Sequence, residues 1–376
     1  MRITFVTTKI NFERGGGSVP DLDLKVRDMQ ALGGEVRVVT IFSELNRLPP
    51  GLPYKVLEER TVNKSLPALQ RNVLTVLKKY ERDTDVYHIE GQFSYAGGWY
   101  RLRGGKPLIA FYNRELLVWT GGGARHFLRR FIEKLLSRFV VPAIDFLYFT
   151  TPQLRQNYFD FGLRVSEERT TTMLDFFDPA AIRSYARTRE VHERLQIFAS
   201  GRMIRAKGFH LLLEALARLP VNLRTTIDLT LSGDGPELEN LKSLARKYNI
   251  AVRFPGWIRK EDFWHYLSST DLFVLPRCQL ELPSVIVMEA LTLGAPTIAP
   301  GGGGVEWMAG GAIRTFRIDD VDSLKAALHD LLEDSDERAR LSSAGLARVP
   351  LIDHLASRER LYDIFRSVVS KERVSV

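Results

Sequence analysis

Residues Glu281–Glu306 read ELPSVIVMEALTLGAPTIAPGGGGVE, and the reading of the whole chain turns on them. The preceding Leu272–Pro276 is an apolar run of strand length. Ser284 can cap a helix over Val285–Leu293, with Pro283 just outside it. Gly294 and Pro296 stop that helix. Thr297–Ala299 is then a short apolar strand, and Gly301–Gly304 a turn without side chains. The helix is apolar almost all round, which predicts burial. Its one charge is Glu289, and a buried carboxylate is costly unless hydrogen-bonded. Two vicinal hydroxyls of a ribose would satisfy it. Glu281 stands eight residues earlier, in the loop that feeds the helix. The helix start, with its unpaired N–H groups and positive dipole end, favours an anion in the same space.

Working outward, 376 residues allow two domains with separate cores. Hydrophobic content of 45% and charged content of 26% are those of a globular chain. One cysteine, Cys278, excludes an internal disulfide framework and suits a reducing cytosol. The net charge of +8 leans toward anionic partners such as sugar nucleotides or anionic lipid. Spread over this length it is not a basic stripe, so no nucleic acid is expected. The start MRITFVTT reads as a strand, not a signal peptide. The longest apolar candidate, Phe139–Phe149, is interrupted by Pro142 and Asp145, so no membrane span is expected.

The chain opens as strand Ile3–Thr7, a flexible loop Asn11–Ser18 with Gly15, Gly16 and Gly17, helix Leu22–Leu32, and strand Val36–Thr40. Three glycines let backbone N–H groups approach a ligand. The spacing is not G-x-G-x-x-G, so a dinucleotide fingerprint is absent. Helix Leu66–Tyr80 and strands Asp85–Ile89 and Pro107–Tyr112 follow, then helix Arg125–Phe139, strand Phe146–Thr150, helix Thr151–Phe161 and strand Thr170–Leu174. Such alternation predicts a parallel sheet with helices on both faces and ligands at the carboxyl ends of the strands. His88 and Glu90, and beyond the next strand Asn113 and Glu115, stand at such ends. The pattern breaks at Phe177-Asp178-Pro179, and the charged run Ile182–Arg194 marks a boundary. Domains are therefore expected at 1–182 and 183–350, with a C-terminal helix in 351–376.

The second half restarts at Leu195–Ser200. Gly201–Gly208, GRMIRAKG, lies between that strand and helix Phe209–Leu219. Arg202 offers a fork of donors and Lys207 a point charge, suited together to clamp a diphosphate. Gly233-Asp234-Gly235-Pro236 is a tight turn after strand Ile227–Ser232, and Val252–Phe254 leads into Gly256-Trp257. The Asp-x-Asp pairs 21/23, 83/85 and 320/322 fall at element boundaries where Asp is an ordinary cap. No His/Cys cluster has metal-ligand spacing, and no metal or cofactor is expected.

The ordered set GRMIRAKG, GDGP, FPG, E-x7-E, G-x-P and GGGG-x-E, across residues 201–306, resembles the retaining glycosyltransferases of the GT-B fold in the family 4-like group, glycosyl transferases group 1. The first half matches by its pattern of elements. The resemblance implies an α/β chain of two doubly wound, Rossmann-like parallel-sheet domains facing across a cleft, with the last helix crossing back to the first domain. It implies hexosyl transfer with retention, from a UDP- or GDP-linked donor to a glycan or lipid-linked acceptor, in polysaccharide or glycoconjugate biosynthesis. Arg202 and Lys207 would hold the diphosphate and Glu289 the ribose. Glu281, with the backbone of Leu282, Pro283, Ser284 and Val285, would hold the donor sugar. Gly233, Gly256 and Trp257 would line the base, and Gly15–Gly17 would face the diphosphate. His88, Glu90, Asn113 and Glu115 are the acceptor-side candidates.

The sequence departs from the family at Asn113, where a histidine is expected, at Leu282-Pro283-Ser284, where Gly-Phe-Gly is frequent, and at Arg277-Cys278, where small polar residues are usual. Asn113 keeps open a non-catalytic sugar-nucleotide-binding subunit. A nucleotide-sugar epimerase or a glycogen-type phosphorylase would use the same fold. Helix Arg125–Arg138, RHFLRRFIEKLLSR, carries four Arg and one Lys against one Glu. Its apolar positions 127, 128, 131, 132, 135, 136 and 139 form one stripe. Either the stripe faces the core, or the helix lies on anionic lipid as a peripheral anchor at the inner face of a cytoplasmic membrane.

Overall fold

The computed structural model describes residues 1–13, 18–61, 65–113, 124–186, 193–278 and 283–374. The chain divides into two compact units, Met1–Phe177 with His354–Val376, and Asp178–Asp353. The boundary expected after 182 lies instead after Phe177. Ile182 is buried, and its short helix Ala180–Arg183 packs on helix Val285–Thr292 of the second unit.

In the first unit the described residues form a seven-stranded parallel sheet in the order β3-β2-β1-β4-β5-β6-β7. The strands are β1 Arg2–Thr7, β2 Glu35–Thr40, β3 Lys55–Glu58, β4 Val86–Glu90, β5 Leu108–Tyr112, β6 Phe146–Phe149 and β7 Thr170–Thr172. They read as apolar runs because both faces are covered. Ile3, Phe5, Val38, Ile109 and Phe111 pack against Val26 and Met29 of helix Ser18–Ala31 and against Leu361 and Phe365 of helix Leu355–Val374. The last helix is thus part of this unit's core.

In the second unit the order is β10-β9-β8-β11-β12-β13, again all parallel. The strands are β8 Leu195–Ser200, β9 Ile227–Ser232, β10 Val252–Gly256, β11 Leu272–Val274, β12 Thr297–Pro300 and β13 Arg314–Phe316. Ile197, Leu212, Leu231, Val274, Ile298 and Leu328 anchor its core. In both sheets the winding reverses beside the first strand, between β1 and β4 and between β8 and β11. In open parallel sheets, ligand-binding crevices form at such reversals, beyond the carboxyl ends of the strands.

Several elements differ from the sequence reading. Ser18 begins the first helix instead of closing the loop before it. Ser94–Leu102 is helical despite Gly97-Gly98, and it buries Tyr100 while Trp99 stays exposed. Gly304 starts a further helix, Gly304–Ala309. Pro350 does not end a helix. It sits in the last turn of Ser335–Ile352, and the final helix begins only at Leu355.

Candidate functional site

The basic loop 201–208 leaves β8 at the reversal of the second sheet. Its middle is pinned by Met203, which is fully buried. The Met203 N–H donates to the Asp234 carbonyl at 2.8 Å, and the Met203 carbonyl accepts from Glu237 N–H at 3.0 Å. Gly201 N–H donates to the Ser232 carbonyl at 3.0 Å. Gly233 N–H donates to the Gly256 carbonyl at 2.8 Å, and the Ser232 hydroxyl to the same oxygen at 3.0 Å. The ends of β8, β9 and β10 are therefore stitched side by side. The stitching requires glycine at two points. A Cβ on Gly233, at φ +134°, would lie 1.9 Å from the Gly201 carbonyl oxygen. One on Gly208, at φ +71°, would lie 1.6 Å from that of Pro276.

Pressing Gly208 onto Pro276 brings the loop to the end of β11, where Arg277 follows. Arg202 is exposed and Lys207 half-buried. The Lys207 ammonium is pushed down to about 7, first by burial and then by the positive charges of Arg277 and Arg202. Burial holds Arg277 down to about 10. Three cations thus share one corner at the strand ends, close enough to repel, and an anion placed among them would relieve the repulsion. Arg277 was not among the residues singled out for this corner. Its only sequence signal is a charge in a place where small polar residues are usual.

Helix Val285–Thr292 begins on the other side of β11. Pro283 and Ser284 are buried, but the Ser284 hydroxyl makes no capping hydrogen bond. Its carbonyl instead accepts from Val287 and Met288. Glu289 is 3% exposed. Besides the ribose hydroxyls expected to satisfy it, the carboxylate has partners within the protein. Lys260 Nζ lies 2.5 Å from Glu289 Oε1, and Trp264 Nε1–H donates to the same oxygen at 3.1 Å. Lys260 and Trp264 come from helix Lys260–Ser269, and nothing in their spacing from Glu289 announces the contact. Trp257, 70% exposed, stands just past the end of β10. Glu306 accepts from Gly302 N–H at 2.5 Å and so closes the glycine turn.

Gly15, Gly16, Gly17, Glu115, Glu281 and Leu282 lie outside the described residues. In the first unit His88 is not at an open strand end. It is buried among Phe5, Phe111, Tyr148 and Phe365, with Nε2 2.5 Å from the Tyr148 hydroxyl. Burial, with the nearby charge of Lys25, drives its basicity well below the usual imidazole range. A side chain so enclosed is a core residue, and the acceptor-side expectation for it is corrected. Glu90 accepts from the Thr7 hydroxyl, Thr8 N–H and the Gln92 amide, tying the ends of β1 and β4 together at the reversal. Asn113 is half-buried just beyond β5.

The Asp-x-Asp pairs have local partners. Asp21 pairs with buried Lys25 at 2.8 Å and accepts from Phe176 N–H, and Asp23 pairs with Arg27. Asp85 pairs with Arg2, Asp320 caps a helix through Ser323 N–H, and Asp322 pairs with Arg218. Among the described residues no group of three His, Cys, Asp or Glu is placed to hold a metal ion.

Helix Ala124–Phe139 does not turn its stripe to the core. Phe127 is 74% exposed and Phe139 64%, and Leu128, Phe131, Ile132 and Leu135 are exposed with them. Among its described side chains it buries Glu133 and Ser137 and, just past its end, Val140. Glu133 accepts from Arg129 Nε at 2.7 Å and from the Tyr95 hydroxyl at 3.4 Å. Arg130, Lys134 and Arg138 are exposed along the same helix. No helix among the described residues is long and apolar enough to cross a membrane.

Residues 184–348 match the model of the family described as glycosyl transferases group 1. Over 180 residues the chain is 30% identical to the lipopolysaccharide core biosynthesis glycosyltransferase LpsE of Rhizobium meliloti, covering 47% of this chain and 50% of that protein. The aligned stretch is therefore about half of that relative's length. Over 314 residues it is 24% identical to a GDP-mannose-dependent monoacylated alpha-(1-6)-phosphatidylinositol monomannoside mannosyltransferase of Corynebacterium glutamicum, covering 79% of this chain and 80% of that one. Anabaena HepE, solved in complex with UDP, superposes with a TM-score of 0.73 at 16% identity, over 98% of this chain and 100% of that chain. The two parallel-sheet units are those of the GT-B fold, and the second of them carries the match to the glycosyl transferases group 1.

Proposed function

We propose that the chain transfers a hexose from a nucleoside-diphosphate donor to a glycan or lipid-linked acceptor, with retention of anomeric configuration, at an anionic membrane surface. The observation that carries the reading is the corner of Arg202, Lys207 and Arg277 at the ends of β8 and β11, with Lys207 driven toward neutrality. A departing diphosphate gathers negative charge on its β-phosphate oxygen. Fixed cations at developing charge lower a barrier by several kcal/mol, about 2.7–4 for one donor in oxyanion sites. In the step proposed here the acceptor hydroxyl oxygen bonds to the anomeric carbon from the face the diphosphate leaves. The bond from that carbon to the β-phosphate oxygen breaks, and the hydroxyl proton passes to the departing phosphate. Arg202, Lys207 and Arg277 supply the stabilising charge without a metal. Glu289 takes the ribose, and Glu281 with the 282–285 backbone takes the sugar. Relatives named for lipopolysaccharide core and for phosphatidylinositol monomannoside support a lipid-borne acceptor. A GDP-mannose-dependent relative and a UDP-bound structural neighbour leave uridine and guanosine as the two bases to try.

The outward apolar stripe of Ala124–Phe139, flanked by Arg130, Lys134 and Arg138, supports the membrane surface. Apolar side chains enter the acyl boundary while the cations meet anionic headgroups. The reaction is tested by incubating the chain with UDP- and GDP-linked hexoses, a bacterial lipid extract as acceptor, and a chelator. The expected result is lipid-dependent release of nucleoside diphosphate, undiminished by the chelator, and a product with the donor's anomeric configuration by NMR. An inverted product contradicts the mechanism. Donor binding without transfer across the whole acceptor panel favours the non-catalytic subunit, the reading that Asn113 keeps open.

A further inference from the structure

Glu289 is held at one oxygen only. Lys260 Nζ and Trp264 Nε1 both meet Oε1, at 2.5 and 3.1 Å, and the described residues bring no donor to Oε2. The two donors stand four residues apart on helix Lys260–Ser269, so they rise from one face of it, and that helix packs directly on the helix that carries Glu289. Trp264 is itself braced, its ring 4.9 Å from that of Tyr185. Lys260 Nζ reaches the carboxylate across the Phe263 and Trp264 rings, 5.4 and 5.7 Å from their centroids. A carboxylate at 3% exposure with both donors on one oxygen is fixed in rotation about its terminal bond, and its second oxygen keeps two acceptor lone pairs unused.

We infer that Lys260 and Trp264 are positioning residues for the nucleoside ribose: they clamp Oε1 of Glu289 so that Oε2 is presented to the 2′- and 3′-hydroxyls. This rests on the reading that Glu289 takes the ribose, and it assigns how the ribose is told apart from a sugar lacking those hydroxyls. The cation on Oε1 offsets the burial of the carboxylate, and the indole N–H fixes its plane. A buried acceptor of this kind penalises an analogue that cannot donate to it more than an open pocket does. Without Lys260 the carboxylate is buried beside one neutral donor, and its orientation is no longer set.

The test is titration calorimetry of the full chain with UDP and GDP, each against its 2′,3′-dideoxy counterpart. Wild type is expected to favour the ribonucleotide it binds by about 10- to 100-fold, the range for hydrogen bonds to a charged acceptor. Lys260→Met should abolish that preference while leaving dideoxynucleotide affinity within about twofold. Trp264→Phe should reduce the preference, and Lys260→Arg should retain it. Lys260 is half-exposed, so its variants are expected to fold, and dideoxynucleotide binding serves as the internal check. If Lys260→Met weakens both nucleotides equally, or changes neither, the clamp is wrong. If Glu289→Ala keeps the full ribonucleotide preference, or wild type has none, the assignment of Glu289 to the ribose fails and takes the clamp with it. A preference lost in Glu289→Ala but kept in Lys260→Met overturns the clamp alone.

Discussion

At the residue scale, Lys207 sets a pH dependence whose sign is fixed. Its ammonium titrates at about 7 in the free protein because burial and two guanidinium groups oppose its charge. A bound diphosphate reverses that opposition and raises the value. Below pH 7 the lysine is protonated in both states and contributes no slope. Above pH 7 binding must take up a proton, so affinity for a nucleotide sugar falls as pH rises, approaching about tenfold per unit. Nucleotide sugars are the right probe because, unlike free diphosphates, they carry no terminal phosphate titrating in this range. Calorimetry between pH 6 and 8.5 should show that fall in wild type and a flat profile in Lys207→Arg, whose charge does not titrate there. A flat wild-type profile contradicts the cation corner. The loop bearing Lys207 was legible in the sequence because GRMIRAKG lies between an apolar strand and an apolar helix. Arg277, Lys260 and Trp264 were not, since each reaches the site through packing between elements far apart in the chain, and no periodicity records such a meeting.

At the scale of elements, alternation of apolar runs located most strands and helices, but amphipathicity alone does not say which face is covered. Helix Ala124–Phe139 has a clear apolar stripe, yet the unit accepts Glu133 and Ser137 because the Tyr95 hydroxyl and Arg129 satisfy the carboxylate there. The stripe is left uncovered, the face that the proposed membrane contact would use. Sedimentation with vesicles should show binding that rises with the anionic lipid fraction, falls with salt, and is lost in a Phe131→Ser, Leu135→Ser variant of unchanged thermal stability. Binding indifferent to anionic lipid, even at low salt, removes the membrane surface from the account. The loop 201–208 makes a second demand at this scale. Gly208→Ala places a methyl against the Pro276 carbonyl at a left-handed φ, so it should lower unfolding free energy by about 2–4 kcal/mol, read as a denaturant midpoint shift. An unchanged midpoint contradicts the close approach of the loop to β11. The helix Ser94–Leu102 escaped the sequence because its glycine pair reads as a turn, although in place it is what lets the helix lie against β4 and Val140.

At the scale of the whole molecule, the chain leaves the first unit at Phe177 and returns at His354, and the two crossings are tied together. The His354 N–H donates to the Phe177 carbonyl at 2.9 Å, and its Nδ1 lies 2.6 Å from Asp28 Oδ2. A two-unit plan was visible in the sequence through its two runs of alternating elements. The return of the last helix came only from the family resemblance, because its apolar positions do not state which core they enter. The central claim is that the second unit binds the nucleoside diphosphate of a sugar donor through the corner at β8 and β11. Thermal-shift measurement with UDP, GDP, ADP and their sugar conjugates, on wild type, Lys207→Ala and Glu289→Ala, tests it most directly. A ligand that binds only the native state stabilises it by about 2.7 kcal/mol at a hundredfold excess over its dissociation constant. The account predicts a shift for a uridine or guanosine diphosphate and its sugar conjugate, and its loss in both variants. No shift with any nucleotide, or a shift that survives in Lys207→Ala, would contradict it.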